Sequence, residues 1–168
     1  MAEPLEDRLI SKIDQAADLY HRLVILPGPT GAGKTAVLRT VHEKTAAPLI
    51  NINLELSRQL LDLTARQRSL QLSIILANIV AASGAEVTLL DNIEILFDVN
   101  LQQDPLRLLQ GISRNRTVVA AWNGTIEGNH LVYATPGHAE YRRYPLQDYL
   151  IVAPEAASRR LAAFCDVF

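Results

Sequence analysis

Residues Arg22–Thr35 read RLVILPGPTGAGKT, and the rest of the chain is organised around them. The apolar run that ends at Pro27-Gly28 suits a strand buried on both faces. The pattern G-x-x-x-x-G-K-T follows at once, met by Gly28, Gly33, Lys34 and Thr35. In such a loop, here Gly28, Pro29, Thr30, Gly31, Ala32 and Gly33, backbone N–H groups converge on phosphate oxygens. A helix expected over Lys34–Lys44 adds the positive end of its dipole. Lys34 is placed to reach the β- and γ-phosphates, and the Thr35 hydroxyl to ligate Mg²⁺. Strand before and helix after are the context this motif requires, so ATP with magnesium is the expected ligand.

Outward from the loop, helical and apolar extended segments alternate. Amphipathic spacing from Leu5 to Tyr20 predicts an N-terminal helix over residues 3–20. Pro48–Leu54 (PLININL) reads as a second strand, and Glu55–Ser83 as one or two helices broken near Thr64–Arg68. Glu86–Asp91 (EVTLLD) is a third strand, Asp104–Ile112 a helix with Pro105 in its first turn, and Thr117–Ala121 a fourth strand. His130–Ala134 suits an extra strand, and Tyr149–Ala153 (YLIVA) a fifth, closed by Pro154. The expected fold is α/β: a three-layer P-loop core on a mostly parallel five-stranded sheet. The expected core is residues 1–154, with 155–168 a short helix or tail.

A phosphate loop needs a distant carboxylate to complete its magnesium site. Asp91, at the carboxyl end of an apolar strand, fits that role; capping the next helix is the other reading. Water activation usually draws on a further acid, often the next residue. Here that is Asn92, which cannot accept a proton. Glu94 is the nearest replacement. Hydrolysis is therefore expected to be slow or to depend on a partner.

The chain has 168 residues, 16 basic and 18 acidic, and a net charge of −2. That balance gives no global case for nucleic acid. A membrane span needs about 20 consecutive apolar residues and no such run exists. The acidic start does not read as a signal peptide. Cys165 stands alone, so an internal disulfide or cysteine zinc site is not expected. His21, His42, His130 and His138 lack metal-ligand spacing. A cytoplasmic protein with no membrane segment is expected. Tyr133, Tyr141, Tyr144 and Tyr149, near Arg142 and Arg143, have the composition of single-stranded nucleic-acid surfaces, so DNA stays on the list of partners.

The order of these motifs resembles the AAA+ ATPase core. That resemblance implies that Asn123, ending the strand after Asp91, senses the γ-phosphate. Equally, Asn123-Gly124 is a hairpin-turn signal in its own right. It also implies an arginine finger before the fifth strand, where Arg142 and Arg143 stand; a solvated basic pair is the plainer reading. Arg114 and Arg116 are second candidates for the finger. The family's helical lid has no full counterpart, since only residues 155–168 follow Pro154. Arg159 and Arg160 carry no assigned role. A core without a lid implies a homo-oligomer or a larger partner.

Four longer strings are more specific: ININLELSRQLLDLTARQR (50–68), LLDNIEILFD (89–98), QDPLRLLQGISRNRTVVAAWNG (103–124) and PGHAEYRRYP (136–145). They resemble the BrxF family, the small P-loop proteins of type 3 BREX phage-defence systems. The resemblance covers roughly Leu5 to Pro154. It implies a bacterial antiphage role beside a methyltransferase, a large ATPase, a helicase and an alkaline-phosphatase-like protein. Its chemical act is left between a weak or partner-dependent ATPase switch and a non-hydrolysing, nucleotide-dependent adaptor. A small-molecule or tRNA-directed transferase is a third reading, since GPTGAGKT also occurs in tRNA prenyltransferases. Asn51–Leu54 supplies none of the substrate-binding charge such enzymes carry.

Overall fold

The computed structural model describes residues 3–153. The expected tail at 155–168, with Arg159, Arg160 and Cys165, lies outside them. The chain is a mixed α/β fold on a mostly parallel sheet. In order it runs α1 (Leu5–Ala16), β1 (Leu23–Gly28), α2 (Lys34–Thr45), β2 (Leu49–Asn51), α3 (Ile52–Leu60) and α4 (Ala65–Ala81). Then come β3 (Val87–Asp91), two 3₁₀ turns at Glu94–Phe97 and Val99–Leu101, α5 (Pro105–Ile112), β4 (Thr117–Glu127), β5 (His130–Tyr133), β6 (Arg142–Pro145) and β7 (Leu150–Ile151). No helix among the described residues is long and apolar enough to cross a membrane.

Five strands lie parallel in the order β2-β3-β4-β1-β7. Alternate residues on β1 serve opposite faces, as strand geometry requires. Leu23 and Ile25 join the side chains of α3, α4 and α5 in one apolar cluster. Val24 and Leu26 join those of α1 and α2 in the other. The sheet is thus covered on both sides, which explains why its strands read as unbroken apolar runs. The C-terminal ends of β1, β3 and β4 come together at one edge of these layers, where ligands of open α/β sheets bind.

Among the described residues the sheet has seven strands, not five. β4 runs on through Asn123 and Gly124 to Glu127 and turns back at Gly128 (φ 60°), so Asn123-Gly124 is not the hairpin turn. β5 then adds antiparallel to β4, and β6 antiparallel to β5. Trp122, fully buried, donates its indole N–H to the Val132 carbonyl at 3.1 Å, and that carbonyl passes against the Cα of Gly124. Only a residue without a Cβ admits this approach.

Three other elements are shorter than expected. β2 stops at Asn51, whose side chain accepts the Leu54 N–H at 3.1 Å and caps α3. Residues 52–54 are therefore helical. The break between α3 and α4 is a capping box built on Thr64 and Gln67. α1 ends at Ala16, where burial ends: Leu19 is 38% and Tyr20 67% exposed. β7 keeps only Leu150 and Ile151.

Phe97, Trp122, Tyr133 and Tyr144 form an aromatic cluster under the hairpin. Burial, reinforced by Glu140 and Glu94, pushes the Tyr133 hydroxyl up to about 12. Burial also raises Tyr144, which donates to Asp104 at 2.9 Å, and Tyr149. The folded chain therefore holds these three protons after the unfolded chain has released them. Their contribution to stability is complete below pH 10, the ordinary tyrosine value, and is lost as the pH rises towards 12 and beyond. Alkaline titration of tyrosinate absorbance should show three tyrosines ionising only with unfolding; smooth ionisation of all tyrosines in the folded chain would contradict this packing.

Candidate functional site

α2 begins at Gly33, which is left-handed at φ 89° and offers no side chain as a cap. Gly31 is also left-handed at φ 85°. The N–H groups of the first turn are thus left to an anion, and both backbone positions favour glycine. The Lys34 ammonium folds back along the loop and donates to the carbonyls of Gly28 at 2.6 Å and Pro29 at 2.9 Å. Partial desolvation lowers its pKa, against the pull of Glu94 and Asp91. Thr30, Gly31, Gly33, Lys34 and Thr35 form one wall of a cleft of about 430 Å³.

Asp91, Asn92, Glu94 and Asn123 form the facing wall. Thr35 Oγ1 donates to Asp91 Oδ2 at 2.6 Å, across 56 residues of sequence. A hydroxyl and a carboxylate converging in this way fit Mg²⁺, which takes one or two protein oxygens and completes its shell with water and phosphate. The other Asp91 oxygen accepts the Asn92 N–H at 3.0 Å, and no helix starts there for Asp91 to cap.

Asn92 stands in the left-handed region at φ 52°, which asparagine tolerates better than most residues. Its carbonyl accepts the Asn53 N–H at 2.8 Å, joining the end of β3 to the start of α3. Beyond this bend, Glu94 turns into the cleft. Asn53 Nδ2 donates to Glu94 Oε2 at 2.9 Å, and Asn123 Nδ2 donates to Glu94 Oε1. Asn53 Oδ1 also accepts the Ile95 N–H at 2.8 Å, fixing the turn that carries Glu94. The carboxylate is gripped by two amides, one from the first turn of α3 and one from within β4.

Sequence reasoning missed Asn53. Its only signal was a polar residue interrupting the apolar run of ININL, which was read as strand alternation. Arg39 was missed too; it lines the cleft from the second turn of α2.

Arg142 and Arg143 do not line this cleft. They lie on β6, two strands out from β4, with Arg142 opposite Tyr133 and Arg143 opposite Val132. Arg143 is exposed and 3.3 Å from His130 Nδ1. Arg114 and Arg116 lie at the opposite end of β4. Arg116 donates to the Val80 and Ala85 carbonyls at the end of α4, and Arg114 stacks over Tyr20 at 4.7 Å.

Size does not pick out the site. A hollow of about 550 Å³ between α4 and α5, and another of about 590 Å³ beside Tyr20, are both larger. Neither combines an uncapped helix start with a hydroxyl–carboxylate pair.

No protein-family model matches the chain. No curated protein matches it either. Among solved structures it is similar to PCH-2 of C. elegans, at 18% identity and a TM-score of 0.46. The match covers 89% of this chain and 42% of that one, so the chain spans well under half of its length.

Proposed function

We propose that this chain is a small, AAA+-like P-loop protein that binds Mg-ATP and acts as a switch, with weak or partner-dependent hydrolysis. The observation that carries the reading is the Thr35–Asp91 contact at 2.6 Å beside the uncapped start of α2. Gly28–Gly33 and Lys34 bind phosphates, and Thr35 and Asp91 hold the magnesium, which supplies charge neutralisation when bound. Glu94 positions or deprotonates water only when it is let go by Asn53 and Asn123. A terminal phosphate competing for the Asn123 amide is the natural trigger, since that amide faces the cleft from β4, level with Gly28 at the end of β1. Arg142 and Arg143, which lie outside their own cleft, would act on the site of a neighbouring subunit. The resemblance of four strings to the BrxF family supports a role in a cytoplasmic BREX antiphage complex, as a homo-oligomer or bound to a larger system protein.

A second reading is favoured by the double grip on Glu94: an adaptor that binds ATP and does not turn it over. One series of measurements separates the two. The protein should bind ATP in a magnesium-dependent way and hydrolyse it slowly. Asn53→Asp keeps the acceptor for the Ile95 N–H and replaces the donor to Glu94 with a repelling carboxylate, so turnover should rise roughly tenfold or more, the worth of one charge-assisted hydrogen bond. Glu94→Gln should abolish it. If ATP binds and no variant or co-expressed neighbour produces turnover, the adaptor reading replaces the switch. Absence of any nucleotide binding at millimolar ATP would end both.

A further inference from the structure

The cleft holds one cation that the phosphate-loop pattern does not account for. Arg39 sits on α2 one turn beyond Thr35 and lines the same cleft as Thr35, Asp91 and Asn92. Side chains on a helix lean towards its N-terminus and cover the preceding turn. The turn that Arg39 covers is therefore the one whose threonine touches Asp91. Other arginines are committed to the fold: Arg22 to Thr117, Arg68 to the Leu60 and Leu63 carbonyls, Arg116 to the end of α4. Arg39 is exposed and, among the described residues, takes part in neither ion pair, Lys44–Asp7 or Arg58–Glu55.

Charge gives this placement a purpose. Lys34 and Arg39 face Asp91 and Glu94 across the cleft, two cations against two carboxylates. Without Arg39 the protein walls carry a net negative charge towards an incoming polyanion, and attraction rests on the metal and the helix start. Lys34 is already engaged by the Gly28 and Pro29 carbonyls. A guanidinium also offers a planar, two-pronged donor that fits phosphate oxygens.

We propose that Arg39 is a second phosphate-binding cation of this site, one that contacts the terminal phosphate and sets a preference for triphosphate over diphosphate. The proposal rests on the nucleotide-binding reading above. The test uses the full chain with fluorescent ATP and ADP analogues and magnesium, comparing wild type with Arg39→Ala and Arg39→Lys. Arg39→Ala should weaken ATP roughly tenfold, the worth of one charge-assisted contact, and ADP less than about twofold. Arg39→Lys should recover part of the ATP affinity. An exposed side chain makes an unchanged melting curve the expected control. Equal losses for ATP and ADP, or no loss for either, overturn the assignment of Arg39 and leave the proposed function standing. Wild-type protein that binds neither nucleotide overturns the proposed function, and this assignment with it.

Discussion

Lys34→Ala is expected to lower ATP affinity by about a hundredfold or more, since it removes a charged donor from the phosphates where little else replaces it. The ammonium also braces the loop by bridging Gly28 and Pro29. Its loss frees the loop as well as deleting a charge. Lys34→Arg should not rescue binding, because a guanidinium is too broad to lie along the same two carbonyls. The fold should be indifferent: a part-desolvated cation that gains no ion pair adds little to stability, so the melting temperature should stay within about 2 °C of wild type. Isothermal titration beside a thermal melt measures both. Retained binding by Lys34→Ala would mean that nucleotide does not enter through this loop.

Gly124→Ala is expected to do the reverse, damaging the fold first and the site through it. A Cβ there would collide with the Val132 carbonyl and crowd the Trp122 indole. Neither neighbour is a flexible side-chain tip. β5 must shift, and the bond from Trp122 Nε1 to that carbonyl goes with it. Overpacking of this kind costs roughly 3 kcal/mol. For a chain of this size that lowers the melting temperature by roughly 10 °C. Because Asn123 is the preceding residue, its amide should lose its aim at Glu94, and the fluorescence of the buried Trp122 should change in parallel. Gly111→Ala is the control: it lies in α5 with no heavy atom within 4 Å of an added Cβ, so it should be neutral or slightly stabilising. Two variants with the same melting temperature would show that β5 does not approach β4 as described.

These two positions show what a sequence discloses and what it hides. Gly28, Gly33, Lys34 and Thr35 were legible because the chemistry of phosphate binding is local: loop, lysine and helix start lie within eight residues. The β1, β3 and β4 runs were legible because strands buried on both faces must be apolar throughout. Asp91 was legible from its place at the end of such a run. Asn123-Gly124 stayed open between a turn and a strand-end sensor because the local signal of Asn-Gly is a turn, whereas what requires the glycine is a carbonyl arriving from Val132. β5 was legible as the extra strand at His130–Ala134, whereas β6, which pairs with β5 through a basic and aromatic stretch, was not. Asn53 hid because a neutral amide in ININL carries no pattern; its partners, Glu94 and Ile95, lie about forty residues away. Arg142 and Arg143 were readable as a basic pair, while their distance from the cleft followed only from the sheet.

The left-handed bend at Asn92 has an evolutionary reading. In a conventional hydrolase the residue after the magnesium-binding aspartate is often an acid, and a single Asn92→Glu change looks like the shortest route to one. The backbone blocks that route. Glutamate in the left-handed region costs about 1–2 kcal/mol, and the bend already carries the next turn, with Glu94, into the cleft. On the proposed reading the working acid is Glu94, two residues later, under the hold of Asn53 and Asn123. Drift towards unregulated turnover must therefore break a tether, and cannot simply restore a missing base. On that same reading, the shape of one residue's backbone guards against ATP being spent other than on demand.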